Sequence, residues 1–205
     1  MARVDISSIR RSQITEAAFG VFSEKGYGNT TVADIASKLD LGHSTVYRYF
    51  DNKLDIASSV IDEVLSRTMD ALSMEPPEKI ASLAEYREAL MRIGSRLFDF
   101  LGDNPRLHRF IFFEGLQIDE SITARIDDAF SAVASYTESH LRNGIARGFI
   151  SGDVHPREAA YAVNGMVWEA ARRLCLEPEI TGEAKAAWSE TVVGMMLDGM
   201  GVKVE

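Results

Sequence analysis

The chain has 205 residues, 46% of them apolar, and a formal net charge of −9. That length suits one large domain or two small ones with a substantial core, and the acidic total argues against non-specific attraction to nucleic acid. The one cysteine, Cys175, allows no intrachain disulfide, and no run of about 18 apolar residues exists to cross a bilayer.

The charge is unevenly spread. Residues 1–55 hold seven Lys/Arg and seven Asp/Glu, so the remainder carries the whole −9. A neutral head on an acidic body suggests segments with different partners. The N-terminal MARVDISSIRRSQ has no apolar h-region. With the lone cysteine, this leads to the expectation of a cytoplasmic protein without a membrane anchor.

Helical spacing dominates from the start. Ile14, Ala17, Ala18, Val21 and Phe22 form one apolar stripe, and Gly26 can close that helix in the left-handed conformation. Thr31-Val32-Ala33-Asp34 reads as a capping-box variant, with Thr31 as N-cap. Val32, Ile35, Ala36 and Leu39 then give a short second stripe. After a tight turn over Asp40–His43, a third short helix is predicted over 43–49. A fourth runs from Asp51 to about Ser73, striped by Leu54, Ala57, Ile61, Leu65 and Leu72. Further helices are predicted over 83–102, 105–115, 120–147, 156–175 and 182–199, with all five prolines lying between helical patterns. No stretch alternates long enough for a strand. The expected class is all-α, about nine helices.

The two short helices and their turn, supported by the first helix, form a helix-turn-helix pattern. Val46 and Phe50 lie four apart and can face the core. His43, Ser44, Thr45, Tyr47 and Arg48 then remain outside, with hydrogen-bonding groups suited to base edges and phosphates. Lys53 opposes the dipole at the start of the fourth helix, which makes sense beside an anion. Tyr49 can equally touch phosphate or pack on the first helix, and Arg10 and Arg11 read either as a DNA-reaching arm or as a solvated helix start.

The stretch TTVADIASKLDLGHSTVYRYFDNKLDIASSVI resembles the DNA-binding domain of TetR-family transcriptional regulators. Thr30-Thr31, Ile35-Ala36, Tyr47, Tyr49-Phe50 and Lys53 carry the resemblance, after the Ala17-Ala18, Phe22 and EKGY pattern, over about residues 10–65. Three positions depart from the family's pattern. Asp40 stands where glycine is usual in the turn, Gly42 where serine often caps the recognition helix, and Ser44 where glycine is common on the DNA face. The resemblance implies a DNA-binding domain at 1–52 and a ligand-sensing and dimerisation domain at 53–205. It implies DNA contact through Thr31, Gly42, His43, Ser44, Thr45, Tyr47, Arg48, Tyr49 and Lys53.

Residues 156–175 and 182–199 carry apolar arcs too wide to cover one core. Gly165, Gly194 and Gly199 would permit close helix approach, so these segments are expected to build a homodimer, as the resemblance also implies. Aromatic density peaks in RLFDFLGDNPRLHRFIFFEGL. An effector pocket is expected among the middle helices, with Phe98, His108, Phe112, Phe113, Phe130, Thr137, His140 and Trp168 as candidate lining, although each could simply be core. No H-E-x-x-H, C-x-x-C, P-loop or G-x-S-x-G motif is present, so no enzymatic activity, metal or cofactor is expected. The expected function is a repressor that binds a palindromic operator in double-stranded DNA as a dimer, released by a small hydrophobic or aromatic effector. A small helical enzyme or carrier, and a structural DNA-binding protein without a sensor, are the alternatives.

Overall fold

The computed structural model describes residues 6–103, 113, 115, 118–177 and 179–200. Among them are eight α-helices, one 3-10 turn and no strand: α1 (Ile6–Lys25), α2 (Val32–Lys38), α3 (His43–Val46), α4 (Lys53–Ser73), the 3-10 turn Pro77–Lys79, α5 (Leu83–Asp103), α6 (Glu120–Arg147), α7 (Pro156–Leu174) and α8 (Gly182–Gly199). The all-α expectation holds. Nearly all of the helix expected over 105–115 lies outside the described residues.

The chain divides into two compact units. One comprises Met1–Ser66 with Arg106–Ile126, the other Arg67–Pro105 with Asp127–Glu205. The first has α1, α2 and α3 at its heart. The α1 stripe is buried as its spacing predicts, with Ile14, Ala17, Ala18, Val21 and Phe22 inside. Ile35, Val46, Phe50, Ile56, Ala57 and Ile61 are buried too. Gly26 takes φ 75° and its amide donates to the Phe22 carbonyl, ending α1. Asp40 takes φ 53° in the turn between α2 and α3. Its short polar side chain tolerates the left-handed region where most residues would not, so the turn forms without the glycine usual in the family.

In the second unit α5 packs on α8, and α7 packs on α8. Its core gathers Tyr86, Leu141, Ile150, Ala160, Val193, Met196 and Leu197. Close approach is built in at two glycines. A β-carbon on Gly94 would come 2.9 Å from the Ser189 hydroxyl, and one on Gly144 would come 2.5 Å from Ile150 Cδ1. Helix starts follow local chemistry. Pro156 sits at the first position of α7, where its missing N–H costs nothing. Thr181 caps α8 by accepting from the Ala184 amide.

The two wide apolar arcs resolve into inner and outer faces. Met196 is buried, whereas Met195 is 62% exposed. Tyr161 on α7 is also exposed. Space is open beside Gly165, Gly194 and Gly199.

Candidate nucleic-acid interface and cavity

The α2–α3 pair is fixed from both ends. At the start of α2, the Thr31 hydroxyl accepts from the Asp34 amide at 3.2 Å, and the Thr31 amide donates to the Asp34 carboxylate at 2.8 Å. This is the capping box that the sequence pattern predicts. Lys25 adds an ion pair to Asp34 at 2.6 Å. Hydrogen bonds from Lys25 and then Thr31 hold the Asp34 carboxyl far below its usual range.

α3 begins at Gly42, which serves as N-cap without a side-chain bond. The helix ends at Val46 rather than continuing to 49. The Arg48 and Tyr49 amides bond to the Thr45 and Val46 carbonyls, three residues back, so the last turn tightens. Val46 and Phe50 are buried as the spacing predicts. Gly42, His43, Ser44, Tyr47 and Arg48 are exposed, and Thr45 and Tyr49 are half-buried. The His43 and Tyr47 rings meet edge-on at 4.8 Å. The structure therefore gathers six of the nine candidate contact residues on the outer side of one short segment.

Thr31, Tyr49 and Lys53 have other work. Thr31 is exposed but holds the cap. The Tyr49 carbonyl accepts from Arg11, whose guanidinium also lies 4.1 Å over the Phe50 ring and pairs with Asp55. Arg11 is thus a tie within the domain rather than an arm. Lys53 does not present its charge outward. Its ammonium donates to the carbonyls of Tyr27 and Thr30 at 2.8 and 2.9 Å and lies 4.2 Å over the Tyr27 ring. The unfavourable placement at the start of α4 is offset by these carbonyls. Lys38 pairs with Glu24. Among the described residues of the head, Arg10 and Arg48 are the cations whose side chains make no ion pair or hydrogen bond.

The second unit contains a cavity of about 90 Å³. Its wall is mostly aliphatic: Leu90, Ile93 and Leu97 from α5, Val133 from α6, Val163 and Val167 from α7, and Val192, Val193 and Met196 from α8, with Phe98. Of the sequence candidates, Phe98, Thr137 and His140 line it. Phe130 and Trp168 do not. Their rings pack on each other at 4.4 Å. Phe113 is half-buried and belongs to the first unit. His108 and Phe112 lie outside the described residues.

Tyr86 and Asn164 also line the cavity and were not singled out from the sequence. The Tyr86 hydroxyl, the Asn164 amide nitrogen and both ring nitrogens of His140 are buried without a hydrogen-bond partner among the described residues. Burial pushes the Tyr86 phenol well above its ordinary value and lowers the His140 pKa, with Glu75 and Glu78 opposing the latter shift. Both side chains are therefore neutral near pH 7. The one hydrogen of the Thr137 hydroxyl is shared between the Asn164 side-chain oxygen at 3.0 Å and the Val133 carbonyl at 3.1 Å. Beside the cavity, the single Tyr136 hydroxyl hydrogen is shared between the carbonyls of Leu72 and Glu75, and the Glu75 carboxylate is bound by Arg92 and Arg96.

A helix-turn-helix unit and an all-helical unit enclosing an apolar cavity define the class of helix-turn-helix transcriptional regulators. Residues 14–60 match the family model described as bacterial regulatory proteins, tetR family. The chain is 27% identical over 157 residues to the fatty acid metabolism regulator protein of Bacillus subtilis (strain 168), covering 77% of this chain and 79% of that one. It is 26% identical over 194 residues to the HTH-type transcriptional regulator TtgR of Pseudomonas putida, covering 91% and 90%. The crystal structure of the transcriptional regulator FadR from Bacillus subtilis, solved with stearoyl-CoA, superposes with a TM-score of 0.79 at 24% identity, over 92% of this chain and 98% of that one. Residues 14–60 are thus a helix-turn-helix domain of the tetR family type. No helix among the described residues is long and apolar enough to cross a membrane.

Proposed function

We propose that the protein is a dimeric, ligand-responsive repressor that binds a palindromic operator and is released by a small hydrophobic effector. One observation carries this reading: the chain combines an outward-facing α3 segment with an apolar cavity several of whose buried polar atoms have no partner among the described residues. Buried polar groups in a folded core are ordinarily satisfied, and an apolar cavity with a few such groups suits a small molecule.

In this reading, residues 1–52 act as the DNA-binding domain and 53–205 as the sensing and dimerisation domain. Ser44 and Thr45 read bases, while Arg48 and Tyr47 hold phosphates. The outer face of α7 and α8, with Tyr161 and Met195 exposed, meets a second copy, because two-fold symmetry doubles the bases that one short helix can read. An effector that prefers the DNA-incompetent state by about 1–3 kcal/mol lowers operator affinity roughly 5–150-fold, and operator lowers effector affinity by the same factor.

The test is selection of genomic fragments by the purified protein, followed by gel shifts and sedimentation. The reading requires a sequence-selective shift, a dimer at micromolar concentration and monomers from Met195→Glu with helical circular dichroism intact. A wild-type monomer, or DNA binding that ignores sequence, would refute it.

A further inference from the structure

We propose that the cavity of the second unit selects an uncharged aliphatic molecule carrying a hydroxyl group, and rejects a carboxylate or an ammonium on the same chain. This rests on the reading of that cavity as the effector site.

Among the residues that line the cavity are three polar groups that together ask for a partner able both to accept and to donate. The Asn164 amide nitrogen offers only N–H. Its oxygen is already taken by Thr137. The Tyr86 hydroxyl can donate or accept. Neutral His140 carries one N–H and one bare nitrogen, which accepts. Tyr86 and His140 lie with their rings stacked at 5.9 Å, and Tyr86, His140 and Asn164 are 1%, 3% and 8% exposed. A hydroxyl satisfies this set: its oxygen accepts from Asn164 and Tyr86, and its hydrogen goes to the bare His140 nitrogen. A carboxylate could accept but not donate.

Charge decides against the ionic alternatives. No Lys, Arg, Asp or Glu lines the cavity among the described residues. Arg92 and Arg96, on the same helix as Tyr86, are bound by Glu75. An anion placed beside His140 would therefore sit near the Glu75 and Glu78 carboxylates, while Arg92 and Arg96 are already engaged with Glu75. A cation would meet the opposite difficulty, because no carboxylate reaches the cavity to pair with it and burying an unpaired charge is costly. The remaining wall is mostly aliphatic, which suits a hydrocarbon chain.

The experiment measures binding of octan-1-ol, octanoate and octylammonium to the full-length protein near neutral pH, by calorimetry and thermal shift. Octan-1-ol should bind about tenfold or more tightly than either ion. Tyr86→Phe and Asn164→Leu should each weaken octan-1-ol about two- to tenfold, the loss of one net hydrogen bond. Both variants are expected to fold: Tyr86→Phe removes a hydroxyl with no partner among the described residues, and Asn164→Leu keeps the side chain's approximate shape. Asn164→Leu leaves the Thr137 hydroxyl its bond to the Val133 carbonyl. Tighter binding of octanoate or octylammonium would overturn the ligand class while leaving the cavity as a binding site. Octan-1-ol affinity unchanged in both variants would overturn the role of the polar cluster. Failure of all three probes at millimolar concentration would remove the effector-site reading itself, and DNA binding, assayed separately, would stand or fall independently.

Discussion

Lys53 offers a sharp test of how the head is built. If its ammonium neutralised a DNA phosphate, Lys53→Ala would reduce the salt dependence of binding by about one charge per protomer. The structure assigns it a different task, holding the carbonyls of Tyr27 and Thr30 and resting on the Tyr27 ring. Hydrogen bonds from a charged donor contribute about 1.5–3 kcal/mol each at their best. The cation–π contact adds about 0.5–1 kcal/mol at an exposed site. Lys53 is half-buried, so water competes for part of this, and a net loss of about 2 kcal/mol is the reasonable expectation for Lys53→Met. For a chain of this size that corresponds to a fall in Tm of about 4–8 °C. Methionine keeps the stem's packing on the ring, which isolates the charge. Thermal denaturation gives the stability loss, and fluorescence anisotropy on operator DNA across a salt series gives the charge count. At temperatures where the variant is folded, the slope of log K against log salt should match wild type. A slope smaller by about one per protomer, with Tm unchanged, would refute the assignment and return Lys53 to the phosphate backbone.

The remaining expectations follow from other contacts. Arg48→Ala should flatten the salt slope by about two per dimer, one phosphate contact for each protomer, whereas Ser44→Ala should leave the slope alone and change which operator variants bind. His140 is buried with its pKa lowered by desolvation, so the unfolded chain takes up a proton more readily. Stability should therefore fall as pH drops below about 6.5, the ordinary histidine value, and His140→Phe should flatten that part of the profile in denaturation measured at successive pH values. Gly144→Ala drives a β-carbon into buried Ile150 and should cost about 1–3 kcal/mol by overpacking, read as a lower urea midpoint. The same substitution at Gly165, which faces open space, should not destabilise the single chain.

Helix boundaries were legible because proline, glycine and hydroxyl residues punctuate them. Pro156 opens α7 and Gly26 closes α1 where the pattern predicts. The capping box at Thr31 was readable for the same reason, since its partners lie three residues apart. The tasks of Lys53 and Arg11 were not readable. Their partners lie 23 to 44 residues away, and nothing local in the sequence specifies such a meeting. On α7 and α8 the apolar arc is so wide that periodicity could not tell inner from outer. Of the adjacent methionines, Met196 lines the cavity and Met195 faces out. In the cavity, a search for aromatic density led to Phe130 and Trp168, which pack on each other instead. Asn164 could have been noticed: it is a polar residue inside an apolar run of α7, and such an interruption must find a partner or serve a ligand.

The internal use of the head's cations bears on how the protein searches a genome. Lys25, Lys38, Lys53 and Arg11 are all occupied within the domain. Non-specific affinity comes almost wholly from cations meeting phosphates. A head with few cations to spare holds random DNA weakly, and the surrounding acidity of the chain weakens that hold further. A genome presents about a million or more competing sites, and each of them sequesters less of such a protein. Few molecules per cell would then be enough to keep an operator filled, and dissociated molecules would return to bulk solution rather than linger on neighbouring sequence.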